Sequence, residues 1–126
     1  MPRKPPKDDL VYLADRLTAG KAVLAFIEGK TFAEYQRDLL LRSAVERQIE
    51  IIGEAARRVS KTKRDVLPAI QWRGITAQRH VLAHEYGEIM DEKIWRVATV
   101  HVPSLIRQLI PLVPKVAGGD AAMLPD

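Results

Sequence analysis

From about Lys7 to Glu28, Leu10, Leu13, Leu17, Leu24 and Ile27 stand three, four or seven residues apart, the spacing that aligns them on one stripe of a helix. Gly29 is the expected stop. Thr31, followed three residues later by Glu34, has the form of a capping box and predicts a second helical run with a bend near Asp38. Within it, Leu41, Val45, Ile49, Ile52, Ala56 and Val59 keep helical rhythm over five turns. Gly53 lies beside this stripe with Ala55 and Ala56. An interior glycine costs about 1 kcal/mol relative to alanine, so a neighbouring backbone is expected to pass close there. Between Ser60 and Trp72 the periodicity lapses and Pro68 removes a donor, which predicts a loop.

Helical pattern returns from about Trp72 through Ile75, Val81 and Leu82 to the region of Glu85, with Gly87 as a stop. Asp91 is expected to cap a further helix whose stripe is Ile94, Val97, Ala98, Leu105, Leu109 and Leu112, kinked by Pro103. No segment alternates apolar and polar residues between turn signals, so strands are not expected. The pattern predicts an all-α fold, an antiparallel bundle of four to five helices joined by short loops. One domain is expected over residues 1–126, with flexible ends at about 1–7 and 115–126, the latter rich in Gly, Ala and Pro.

Composition narrows the function. At 126 residues there is room for one core, and 47% hydrophobic with 29% charged residues excludes a disordered or fibrous chain. The absence of Cys excludes a disulfide framework, a thiol nucleophile and a thiolate zinc site, and fits a cytoplasmic location. No secretory apolar run opens the chain, and no stretch approaches the ~18–20 apolar residues that cross a bilayer, so no membrane association is expected. A net charge of +4 biases the surface modestly toward polyanions. Arg57, Arg58, Lys61, Lys63 and Arg64 place five cations in eight residues. They suit either a solvated helix C-terminus complementing the macrodipole or a surface that binds phosphates.

Chemistry concentrates in Arg79-His80-Val81-Leu82-Ala83-His84-Glu85-Tyr86. A histidine can take or give a proton near neutral pH, and an arginine offers a permanent charge and a fork of donors that matches a phosphate. Together they suit phosphoryl transfer. Arg79 and His84 stand about 140° apart around a straight helix, so they do not face one target unless the helix loosens near Gly87 or a dimer brings two copies together. His80 and His84 share a face, which raises metal binding. The zincin pattern needs Glu after the first His, where this chain has Val81, and no third ligand is near. A surface His80 and a hydrogen-bonded buried His84 are the bland alternative.

The runs AVERQIEIIGEAA (residues 44–56), WRGITAQRHVLAHEY (72–86) and IWRVATVHVPSLIRQL (94–109), with Pro68 between the first two, resemble the HepT toxin family of the HEPN group. The resemblance covers roughly Asp8 to Leu112. Its centre is R-x4-H-x-Y, matched by Arg79, His84 and Tyr86, whereas the family usually has Asn where this chain carries His80. The resemblance implies a homodimer whose motif segments meet in a cleft and act as a metal-independent endoribonuclease, with no cofactor.

It implies Arg79 and His84 as catalytic residues, with His80 as a possible supporting residue, and the Arg57–Arg64 cations as holding the backbone of an RNA such as tRNA. Glu54 either supports the site by orienting Arg79 or His84 or makes a structural salt bridge on its own helix. The resemblance further implies one half of a toxin–antitoxin pair. The other half would be a minimal nucleotidyltransferase of the MntA type that neutralises the toxin by AMPylating Tyr86. A non-catalytic dimeric module that binds a nucleotide or such a nucleotidyltransferase is the alternative.

Overall fold

The structure, a computed structural model, describes residues 8–70, 72 and 88–113. All regular elements among them are helical. Helix α1 (Asp9–Ile27) is capped by Asp8, whose side chain accepts from the Leu10 amide at 3.0 Å. It ends before Gly29, which takes the left-handed φ of 73°. The Thr31–Glu34 capping box is present and opens the short α2 (Phe32–Arg37). Asp38 then adopts extended backbone, and its carboxylate accepts from Leu41 N to start α3 (Leu39–Arg58). The expected bend is therefore a full break: a side chain that caps the second helix needs non-helical backbone to do so.

Leu41, Val45, Ile49, Ile52, Ala56 and Val59 are all buried, as their spacing predicts. Leu10 and Leu24, placed on the α1 stripe by spacing, are only half-buried, while Val23 and Ala19 are buried beside Leu13 and Leu17. The reason is that α1 has two packed sides, one against α3 and one against a helix near the C-terminus.

Two further expectations are corrected. Ser60 opens a short α4 (Lys61–Asp65) where the sequence predicts a loop, its hydroxyl accepting from Lys63 N at 3.1 Å. Asp91 lies inside α5 (Glu88–Arg96), so it is not that helix's cap. Near Pro103, where the sequence predicts a kink, the regular α-helix is interrupted. A wide π-helical turn at Val97–His101 precedes the proline, and α6 (Val102–Leu109) starts with Pro103 in its first turn. Proline gives no N–H to the carbonyl four residues back and crowds it, and the wider turn relieves both conflicts upstream of the ring.

A 3₁₀ turn (Ile110–Leu112) closes the described C-terminal part. Trp72, expected to open a helix, sits in a bend. The helix predicted from there to Glu85, the 1–7 end and the 115–126 end lie outside the described residues.

One core joins α1, α3, α5, the π turn and α6, and includes Leu13, Val23, Val45, Ile49, Ile52, Ile94, Val102, Leu105 and Leu109. Trp95 joins α5 to α2, its ring centroid 5.2 Å from Tyr35 and 6.1 Å from Phe32. A close approach of two helices is found at Gly20, where an added Cβ would lie 3.1 Å from Ile106 Cγ1. Gly53 itself is buried in α3.

Candidate functional site

Glu54 stands in the last turns of α3, and its carboxylate takes Arg57 Nη2 at 2.7 Å and Arg58 Nη2 at 3.7 Å. The spacing makes this almost unavoidable, because residues three and four apart share a helix face. On α4, Lys61 pairs with Asp65 at 2.8 Å. Three of the five cations singled out in the sequence are thus engaged by carboxylates of their own helix. Lys63 and Arg64 are half-exposed and form no ion pair among the described residues. From Glu54 to Asp65, five cations still outnumber two carboxylates, which leaves this end positive.

The positive end is fixed to the start of the chain. Asp9 accepts from Ser60 N at 2.8 Å and from Ser60 Oγ at 2.6 Å, which ties the first turn of α1 to the α3–α4 junction. The Ser60 hydroxyl bond, its amide bond and the charge of Lys63 hold the Asp9 carboxyl below its ordinary pKa despite partial desolvation. The same serine caps α4, so one residue sets both the helix start and its anchor.

Between α1 and α3 runs an open groove of about 370 Å³ lined by Tyr12, Asp15, Arg47, Glu50, Ile51, Glu54 and Arg58. Its walls carry both charges, with Arg47 3.5 Å from Glu50. Two of the sequence candidates, Glu54 and Arg58, meet here. Among the described residues no group of three or more His, Asp or Glu side chains is placed to hold a metal. None of their helices is long and apolar enough to cross a membrane. Arg79, His80, His84 and Tyr86 lie outside the described residues.

Two buried polar residues escaped the sequence reading. Arg16 is completely buried in α1, its Nε donating to Ile52 O at 3.2 Å and its guanidinium carbon 5.4 Å from the Trp72 ring centroid. Burial lowers its pKa to about 10, so it remains charged at neutral pH. The signal was available: Arg16 falls between Leu13 and Leu17 on the stripe that faces the core. Tyr35, fully buried on α2, faces the charges of Glu46, Asp91 and Arg42, and burial pushes its phenol up beyond its usual range. Glu46 and Asp91 stand 11 and 56 residues further along the chain, so the sequence around Tyr35 gives no warning of that carboxylate pair.

Relatedness completes the site. The model of the family described as Ribonuclease HepT-like matches residues 17–112. The chain belongs to this HepT-like ribonuclease family. The match spans Glu54, the five cations and the whole Arg79–Tyr86 stretch. The protein named "Putative RNase MJ0127" of Methanocaldococcus jannaschii is 31% identical over 116 residues, covering 92% of this chain and 96% of that protein. "Probable ribonuclease HepT" of Thermococcus cleftensis is 30% identical over 94 residues, 75% of this chain and 86% of that protein. No solved structure matches. The HepT-like family membership agrees with the resemblance carried by the sequence motifs.

Proposed function

We propose that this HepT-like chain is the RNA-cutting toxin of a toxin–antitoxin pair, acting as a cytoplasmic, metal-independent endoribonuclease. The observation that carries the reading is the family match over residues 17–112, which contains R-x4-H-x-Y as Arg79, His84 and Tyr86. His84 takes the proton of an RNA 2′-hydroxyl as that oxygen attacks the adjacent phosphorus. The bond to the 5′-oxygen breaks and that oxygen takes a proton, from a protonated His84 or from water, leaving a 2′,3′-cyclic phosphate on one product and a hydroxyl on the other. Arg79 stabilises the charge that builds on the nonbridging oxygens.

The angular separation of Arg79 and His84 favours a homodimer in which two motif stretches share one cleft, each chain folding as a single domain. Glu54 and His80 support the site, with Glu54 also holding Arg57 and Arg58. Arg57, Arg58, Lys61, Lys63 and Arg64 bind the flanking backbone of a structured RNA, for which tRNA is the leading choice. The partner is a minimal nucleotidyltransferase that AMPylates Tyr86. A phosphate and nucleotide two residues from His84 would exclude an RNA phosphate by bulk and like charge.

Arg79→Ala and His84→Ala test the reading. Each should abolish RNA cleavage and growth toxicity while the chain stays folded and dimeric, and cleavage should survive EDTA. Cleavage persisting in both variants would overturn the assignment of Arg79 and His84 as the catalytic residues. Toxicity retained without any cleavage would favour a binding module instead. Tyr86→Phe should leave a toxin that the partner no longer silences, and mass spectrometry should find the AMP-sized addition only on the wild-type chain.

A further inference from the structure

Helix α3 carries a second face. Leu40, Ala44, Arg47, Ile51, Glu54 and Arg58 follow one another at steps of four, three, four, three and four, the spacing of a seam along which two helices pack. At about 100° per residue this seam lies roughly a third of a turn from the buried stripe of Leu41, Val45, Ile49 and Ile52. Helix α1 leaves it open, since Arg47, Ile51, Glu54 and Arg58 form one wall of the groove whose other wall is Tyr12 and Asp15. At the N-terminal end of the seam Leu40 is 80% exposed, and Ala44 and Ile51 are half-buried.

The charges on the seam suit a copy of itself. Arg47 stands one turn before Ile51, and Glu54 stands one turn after it. A two-fold axis at Ile51 sets the second helix end for end, so each Arg47 comes beside the partner's Glu54 and each Ala44 beside the partner's Arg58. The two Ile51 side chains meet on the axis. Each charge of the seam then faces an opposite charge or an apolar surface, and none faces its like. Arg47 has reach for this contact, because its tie to Glu50 is a long 3.5 Å and its side chain is 68% exposed. Glu54 meets Arg57 and Arg58 through different oxygens, and a carboxylate offers about four lone-pair sites, so these two pairs do not exhaust it.

We propose that the outward seam of α3, from Leu40 to Arg58, is the face by which two copies of this chain pair, antiparallel and crossing at Ile51. This rests on the homodimer of the ribonuclease reading and names its surface. Charge sets the register here more than it sets affinity, because exposed ion pairs add little whereas like charges forced together cost far more.

The test uses the full chain in solution. Arg47→Glu and Glu54→Arg each oppose like charges twice per dimer, and each should raise the dimer dissociation constant about tenfold or more in analytical ultracentrifugation. Circular dichroism should show both variants still helical. An equimolar mixture of the two should dimerise as the wild type does, because in the mixed pair the two substituted side chains face each other and the two unsubstituted ones do likewise. Variants that dimerise normally alone, or that stay apart when mixed, would overturn the proposal.

A second probe leaves the charges untouched. The chain has no cysteine, so Ile51→Cys introduces a single thiol. Near the axis its Cα lies within the roughly 7 Å that a disulfide spans, and mild oxidation should link the dimer far faster than in Val66→Cys, whose position is exposed and off the seam. Equal rates would overturn the proposal, and this comparison decides should a charge variant fail to fold. A monomeric wild type would defeat the homodimer and the seam together. A dimer indifferent to all these changes would defeat the seam alone, and a seam that passes them in a chain that cuts no RNA would defeat the ribonuclease reading alone.

Discussion

Two carboxylates in this molecule respond to acid with opposite signs, and each is set by a few neighbours. Asp9 is held below its ordinary pKa by Ser60, so its contribution is present above the unfolded value and is lost as pH falls through the lower folded one. Glu46 is raised, first by desolvation and then by Asp91 and Glu50, with only Arg42 opposing. Its ionised form destabilises the fold above the folded pKa, and that penalty is relieved as pH falls through the folded value toward the unfolded one. Glu46→Gln should therefore raise the melting temperature at pH 7, with the gain shrinking as pH falls toward the ordinary carboxylate range. A gain independent of pH, or a loss, would show that Glu46 makes a bond worth more than its burial costs. Tyr35 gives this corner its weight, since its buried hydroxyl finds no hydrogen-bond partner among the described residues and faces both Glu46 and Asp91.

At the scale of elements, Gly20 decides how closely α1 and α6 approach. A Cβ there would stand 3.1 Å from Ile106 Cγ1 and 3.4 Å from Val102 Cγ1, so the neighbours to be displaced are side chains. Gly20→Ala gains up to about 1 kcal/mol of helix propensity, which offsets a shift of a few tenths of an ångström, and should leave stability within about 1 kcal/mol of wild type. Gly20→Leu has no such room and should cost about 1–3 kcal/mol by overpacking, measured by denaturant unfolding. Equal stabilities for the two variants would mean that the helices separate easily.

The sequence shows much of this architecture where one rule acts alone. The α3 stripe is buried as its spacing demands, Gly29 stops α1, and Thr31 with Glu34 forms its box. It is less legible where two rules compete. Asp38 can bend or cap, and it caps. Ser60 before a lysine-rich stretch resembles a loop until Asp9, 51 residues away, supplies its partner. Arg16 looks misplaced on an apolar stripe until Trp72 and Ile52 O are brought to it by tertiary packing. For the candidate site, Glu54 and Arg58 meet as helical spacing requires. The pairing of Arg79 with His84 is legible only as a motif, since no periodicity places two such residues on one face.

For the whole molecule, the decisive property is where the charge sits. A net charge of +4 over 126 residues is modest, yet the segment from Glu54 to Asp65 holds five cations against two carboxylates. Within it, Arg57, Arg58 and Lys61 are already paired, so their charge reaches a phosphate at a discount. Lys63 and Arg64 carry no such partner among the described residues, although Asp9 lies near enough to Lys63 to feel its charge. If this end holds RNA backbone, these two residues should release counterions most fully, and their contribution should be blind to sequence. Each phosphate contact steepens the fall of log K with log salt by about 0.7 on a single strand and about 0.9 on a duplex. The Lys63→Ala, Arg64→Ala double variant should flatten that slope by about 1.4–1.8 and weaken unrelated RNAs equally. Arg57→Ala should change it less, because Glu54 loses a partner as RNA loses a cation. Binding measured from low to physiological salt separates the cases: an unchanged slope in the double variant would place the RNA elsewhere, along the α1–α3 groove where Arg47 lies.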